Sequence, residues 1–212
     1  MKNIIVPTDF SVNADNALAY ATDIAMRTGA KIILLHVYHF PAIDVSMPSS
    51  MLVEMQTSHE AQVQKKLKEY KKIVSSAYPD ISFDSFAVLG FLLETISELS
   101  NSLKPDLIVM GTQGASGLQK ILIGSNTAKV MEKADCPVLV VPSKAAFKLP
   151  MHILYLADLM GNEESIVSSI LDFASFFKAK TIAAHIKNQE QVYISDSRNI
   201  TTNSGRNSKQ KR

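Results

Sequence analysis

A chain of 212 residues, 46% hydrophobic and 20% charged, has room for one large domain or one and a half small ones, and its composition is that of a globular protein. A net charge of +2 gives no reason to expect a nucleic-acid partner, and no apolar stretch reaches the roughly 18 residues that a membrane span needs. One cysteine excludes an intramolecular disulfide and makes a reducing cytosol the expected compartment; the opening MKNIIVPTDF has an apolar run too short for a signal peptide.

Asn3 to Val6 is a short apolar run, predicted as the first strand, and Pro7-Thr8-Asp9 closes it. Ser11 or Asn13 is a fair N-cap for the helix that follows. Ala14, Ala17, Leu18, Ala21, Ile24 and Ala25 recur there at helical spacing, and Gly29 ends it. Lys31 to Val37 is the second strand, apolar on both faces as buried parallel strands are. Tyr38 to Ser50 holds two prolines and reads as a surface loop. Met51 to Ala77 is a long helix with Leu52, Met55, His59, Val63, Leu67, Tyr70 and Val74 on one face; its lysines, Lys65, Lys66, Lys68, Lys71 and Lys72, read as a solvated face. Ile81 to Leu89 is the third strand, broken by Gly90. Glu94 to Leu103 is a short helix, Leu107 to Met110 the fourth strand, Asn126 to Lys133 the last helix of this unit, and Pro137 to Val141 the fifth strand. Strands alternating with helices in this way predict an α/β fold with a parallel sheet and helices on both faces.

The stretch from Gly111 to Val141 organises the rest. Gly111 and Gly114 follow the fourth strand directly, and Gly124-Ser125-Asn126-Thr127 precedes a helix. A glycine-rich loop lets backbone N–H groups approach an anion with no Cβ in the way, and a helix N-terminus adds unpaired donors and the positive end of its dipole. Ser125 or Asn126 is predicted as N-cap or as a phosphate donor. The loop is neither a Walker A sequence nor GxGxxG.

The full pattern, Gly-x2-Gly-x9-Gly-Ser, closely resembles the ATP-binding signature of the universal stress protein family. The flanks match too: Asp106-Leu107-Ile108-Val109-Met110-Gly111 before it, Cys136-Pro137-Val138-Leu139-Val140-Val141 after it, and Pro7-Thr8-Asp9-Phe10-Ser11 near the start. The resemblance covers residues 2 to 143 and continues more weakly to 187. It implies a Rossmann-like sheet of order 3-2-1-4-5, in which Asp9 and Gly111 face one crevice at the carboxyl ends of neighbouring strands. It also implies a nucleotide site built from Pro7, Thr8, Asp9, Val37, Met110, Gly111, Gly114, Gly124, Ser125, Asn126 and Thr127. Val37 and Met110 would flank an adenine, Asp9 would contact ribose or a metal held with the phosphates, and the glycines with Ser125, Asn126 and Thr127 would take phosphate and ribose. Read without the resemblance, Asp9 is a turn or N-cap carboxylate, and Val37 and Met110 are core residues. Two loop positions often basic in the family are Gln113 and Ala115 here, so phosphate binding would rest mostly on backbone amides and hydroxyls.

Residues 151 to 186 align without a gap on residues 2 to 37, placing Asp158 on Asp9, Asn162 on Asn13 and His185 on His36. This predicts a nucleotide-binding domain at 1–145 and a partial second unit of strand, helix and strand at 150–187. The second copy lacks three further strands and a glycine loop, so it is expected to bind no nucleotide; truncation or a shift of reading frame near residue 188 would each account for it. Residues 188 to 212 are polar, with five positive and two negative charges, and are expected to be disordered. A βαβ fragment cannot bury enough surface alone, so Phe173, Phe176 and Phe177 must pack on the first unit or another chain, or stay exposed.

Among the remaining candidates, His36 reads as a packed, hydrogen-bonded strand residue, Cys136 as a small buried hydrophobe, and His39, His59 and His152 make no metal-ligand spacing. The expected function is a cytoplasmic, ATP-binding regulatory protein of the stress response, with any Mg2+ held mainly by the phosphates. The fifth strand is an apolar sheet edge of the kind the family pairs into homodimers. Two other readings stand beside it. One is a slow ATPase or nucleotide-transferring enzyme, for which no general base, arginine finger or metal cluster is visible. The other is a nucleotide-independent interaction module of the same fold.

Overall fold

The computed structural model describes residues 1–39, 48–112, 123–157, 164–188 and 191–196. The expected surface loop after Tyr38, the glycine Gly114 with Gln113 and Ala115, Asp158, and the tail beyond 196 therefore fall wholly or mostly outside the described residues. The chain forms two compact units, Met1–Phe147 and one beginning at Lys148.

The first unit runs β1 (Asn3–Pro7), α1 (Val12–Thr28), β2 (Lys31–Tyr38), α2 (Ser49–Ala77), β3 (Phe83–Leu89), α3 (Leu92–Leu103), β4 (Leu107–Gly111), α4 (Ser125–Lys133) and β5 (Val138–Val141). The five strands make a parallel sheet of order β3-β2-β1-β4-β5, as the resemblance implies. β1, β2 and β4 are apolar on both faces because both faces are covered. Ile5, Ile33, Leu35, Ile108 and Met110 pack with Ile96 of α3 and Val130 of α4 on one side. The alternate residues Ile4, Val6, Ile32 and Leu34 are fully buried on the other side, which α1 and α2 cover. Full burial of such a side chain contributes about 1.5–3 kcal/mol, so the three central strands anchor the unit.

Local signals set the element ends. Ser11 caps α1, its hydroxyl accepting from the Ala14 N–H at 3.3 Å, and Gly29 closes the helix at φ +69°, the left-handed region that glycine enters freely. After β5 the chain turns back onto α1. Asn16 Nδ2 donates to the carbonyls of Pro142 and Ala145, and Phe147 packs edge-on against Tyr20 with the Arg27 guanidinium 4.7 Å from its ring centre. Those contacts carry the unit to Phe147.

α2 departs from expectation. Of the seven residues read as its buried face, Val63, Leu67 and Val74 are buried, Leu52 and Tyr70 are half-buried, and Met55 and His59 are exposed. Only the second half of this helix lies on the sheet, so periodicity identified the stripe but not how much of it is covered.

The second unit contains β6 (His152–Ala157), α5 (Glu164–Phe177), β7 (Lys180–Asn188) and β8 (Gln191–Asp196). Within the stretch expected to be disordered from residue 188, the segment Gln191–Asp196 is described. Gln191–Asp196 forms a strand antiparallel to β7, with Ile186 opposite Val192 and Ala184 opposite Ile194. The period-two pattern Val192, Ile194 specifies a strand that the polar average of the tail conceals. In this unit Phe177 and Ala174 are buried, the Phe173 and Phe177 ring centres lie 5.2 Å apart in a tilted pair, and Phe176 is exposed. Leu154 and Leu156 are 60% and 64% exposed, because they lie on the sheet face that α3 and α4 cover in the first unit.

The repeat also preserves a backbone conformation. Lys178, at the position of Gly29, has φ +54° at the end of α5. A non-glycine residue there costs about 1–2 kcal/mol, so Lys178→Gly is expected to stabilise the second unit by roughly 1 kcal/mol. Slower hydrogen exchange of the α5 amides would register the gain; unchanged exchange would refute it.

Candidate nucleotide site

β1 and β4 are neighbours, with Ile4 beside Leu107 and Ile5 beside Ile108. The Asp9 turn and Gly111 therefore leave the sheet side by side at the carboxyl ends of adjacent strands, although they stand about a hundred residues apart in sequence.

The turn after β1 is braced internally. Thr8 is buried, its N–H donates to the Leu35 carbonyl at 2.8 Å, and its hydroxyl oxygen accepts from the Phe10 N–H at 3.0 Å. Asp9 is exposed, and its Oδ1 accepts from the Ser11 N–H at 3.0 Å. The carboxylate thus makes the turn contact that the bare sequence reading expected while still facing solvent. Pro7, which has no N–H to satisfy, is buried at the strand end.

Gly111 is enclosed by two helix N-termini. A Cβ at this position would come within 2.9 Å of the Asn13 carbonyl oxygen in the first turn of α1. On the other side, Thr127 of α4 is buried and its hydroxyl donates to the Gly111 carbonyl at 2.9 Å. The Gly124 N–H donates to the Thr112 carbonyl at 2.6 Å, and the Thr112 N–H to the Val141 carbonyl at 3.1 Å. These bonds latch the start of α4 to the end of β4, closing the described ends of the glycine loop on each other.

The N-cap of α4 is Gly124 rather than Ser125 or Asn126, and no side chain caps it. The helix begins at Ser125, so Ser125 and Asn126 occupy its first turn with exposed side chains. The first amides of α4 are left without a side-chain partner from a cap, which is the arrangement that accepts an anion. Val37 is half-buried and Met110 buried, both on the sheet face shared with α3 and α4; Gly114 lies outside the described residues.

His36 fits the reading of a hydrogen-bonded strand residue. Its Nδ1 lies 2.7 Å from the Thr8 carbonyl, and since a carbonyl only accepts, Nδ1 carries the proton. The repeat keeps this bond, with His185 Nδ1 2.9 Å from the carbonyl of Ala157, the residue at the Thr8 position. Burial holds the His36 imidazole below its usual pKa, with the Thr8 carbonyl acting against that, His59 and Lys66 adding to it, and Asp9 opposing. The unfolded chain then binds this proton at higher pH than the folded one. Stability should accordingly fall as pH drops below about 6.5, and His36→Gln should show a shallower fall between pH 7 and 5 in thermal melts. An equal slope in both proteins would remove His36 from the account.

Burial, followed by Asp135 and Asp106, pushes the Cys136 thiol up to about 11, which makes it a poor nucleophile. Among the described residues no group of three or more His, Cys, Asp or Glu side chains could hold a metal ion. None of the helices in the described residues is long and apolar enough to cross a membrane. Sequence reasoning gave Phe10, Asn13 and Thr112 no place in the site, although Asn13 reads as a helix cap and Phe10 stands within a flank that carries the resemblance. Asn13 and Thr112 act through backbone atoms, which no side-chain pattern reveals, and Phe10 carries no periodic signal.

The family model of the universal stress protein family matches residues 1–142. The chain belongs to the universal stress protein family. A universal stress protein of Methanocaldococcus jannaschii is 33% identical over 141 residues, 66% of this chain and 81% of that one. The solved structure of a universal stress protein from Lactobacillus plantarum superposes with a TM-score of 0.59 at 26% identity, covering 66% of this chain and 97% of its own. A longer universal stress protein of Mycobacterium tuberculosis is 29% identical over 199 residues, 89% of this chain and 65% of its own length. That similarity extends past the first unit of this universal stress protein into the second.

Proposed function

We propose that the first unit binds one adenine nucleotide, ATP, and that the protein acts as a nucleotide-responsive regulator of the stress response in the cytoplasm. The observation that carries this reading is the N-terminus of α4. It has no side-chain cap, exposes Ser125 and Asn126, and is latched to the end of β4 beside the Asp9 turn. The phosphates would lie against the amides of Ser125 and Asn126 at the start of α4 and against the loop containing Gly114. Asp9 would contact ribose, Val37 and Met110 would border the adenine, and Pro7 and Thr8 would shape the turn. Thr127 would act from behind, because its hydroxyl already donates to Gly111. With no described cluster of metal ligands, a Mg2+ ion would be held mainly by the nucleotide's phosphates. Bound nucleotide would favour one conformational or dimeric state over another by differential affinity. β5, at the end of the sheet order, is the edge available for pairing with a second copy. The second unit would bind no nucleotide of its own.

Two measurements on the full chain test this. Denaturing freshly purified protein and chromatographing the released small molecules should recover adenine nucleotide. Titration calorimetry of stripped protein with ATP should saturate near one site per chain. Folded protein that yields no nucleotide and no heat would favour the interaction-module reading, and ATP turnover at the same site would favour the slow ATPase.

A further inference from the structure

We propose that Phe10 is a positioning residue of the nucleotide site and couples it to α2, so that nucleotide binding is registered on that helix; the inference rests on the functional reading above. Among the described residues three non-glycine positions have positive φ: Phe10, Lys104 and Lys178. Lys104 and Lys178 end helices, where the left-handed conformation is routine. Phe10, at φ +61°, instead sits in the strand-to-helix turn immediately after Asp9. An unfavourable conformation persists there only if its surroundings impose it.

The surroundings are a cluster of tilted aromatic rings. The Phe10 ring centre lies 4.3 Å from that of His36 and 5.7 Å from that of Tyr70, and the Lys66 ammonium lies 4.9 Å from it. Lys66 and Tyr70 are four residues apart and so share one face of α2. The Tyr70 hydroxyl also donates to the Asp15 carboxylate of α1. Beneath the ring, His36 holds the Thr8 carbonyl, and the Phe10 N–H holds the Thr8 hydroxyl. Those two hydrogen bonds tie the backbone before Asp9 to His36 and to Phe10, and the Phe10 ring in turn meets His36 and the α2 side chains Lys66 and Tyr70. A displacement of α2 must move Phe10 or lose these contacts, and ligand binding at Asp9 must act back on α2 to the same degree.

Glycine separates the ring from the backbone, because φ +61° suits glycine better than phenylalanine. If torsional preference alone set the turn, Phe10→Gly would bind ATP as well as wild type or better. We expect it to bind about tenfold more weakly, and Phe10→Tyr, which keeps the ring, to recover affinity to within about threefold. Tyr70→Leu, remote from the turn in sequence, should weaken binding by about three- to tenfold and stands in if Phe10→Gly fails to fold. In wild type, ATP should slow hydrogen exchange across Val63 to Val74, and this protection should be absent from Phe10→Gly at saturating ATP. Wild-type affinity in both Phe10→Gly and Tyr70→Leu, or ATP protection that never reaches α2 in wild type, would overturn the inference alone. A folded wild type that binds no ATP overturns the functional reading and this inference together.

Discussion

Gly124→Val is expected to weaken ATP binding by about a hundredfold or more, equivalent to roughly 2.7 kcal/mol, while leaving the fold in place. The backbone at Gly124 has φ −67° and ψ 153°, an extended conformation that β-branched residues favour, so valine meets no torsional objection. The position is half-buried and its N–H is already committed to the Thr112 carbonyl. What valine changes is the space in front of the first amides of α4, where branched methyls would stand in the path of phosphate oxygens. Calorimetry with ATP should show the loss, and thermal melts should show a midpoint within a few degrees of wild type. Gly124→Ala, with a single methyl, should fall between the two. Wild-type affinity in the valine variant would remove the start of α4 from the site.

Gly111→Ala should do what Gly124→Val does not, and destabilise the first unit. The obstacle is space rather than torsion. The added Cβ would stand 2.9 Å from the Asn13 carbonyl oxygen and 3.1 Å from its carbonyl carbon, and backbone in the first turn of a helix cannot swing aside as a side chain could. α1 must shift away from β4, at a cost of about 1–3 kcal/mol. The melting temperature should then drop by roughly 3–10 °C. Asn13 follows Asp9 by four residues, so the same shift should displace the Asp9 turn and weaken ATP binding as well. An alanine variant that melts like wild type would show that α1 and β4 have room to spare.

The contrast between these glycines shows where sequence reading stops. Both glycines carry the same sequence signal, a loop that lets an anion approach the backbone. In the folded protein Gly124 is the N-cap of α4 in an extended conformation, while Gly111 is a packing position between α1 and α4. Thr127 divides in the same way from Ser125 and Asn126: all three followed Gly124 as donors, yet Thr127 turns inward to the Gly111 carbonyl and the other two face outward. At 3.6 residues per turn, the third residue of α4 points back across the helix start, but only the position of β4 determines what it meets there.

The chain by itself determined the elements. Apolar runs bounded by glycine and proline gave the strands, helical periodicity and Gly29 gave α1, and the repeat gave the second unit its first three elements, because each of these signals is local. Alternation of strands and helices gave the parallel sheet, and the resemblance to stress proteins implied its order and the placing of Asp9 and Gly111 at neighbouring strand ends. Tertiary structure decided the rest. It left the first half of α2 uncovered, added β8 beside β7, and placed Phe10 between His36 and Tyr70. Each of those outcomes depends on which surfaces meet across distant parts of the chain. Burial, strand pairing and ring stacking are properties of two partners at once, and a single stretch of sequence specifies only one of them.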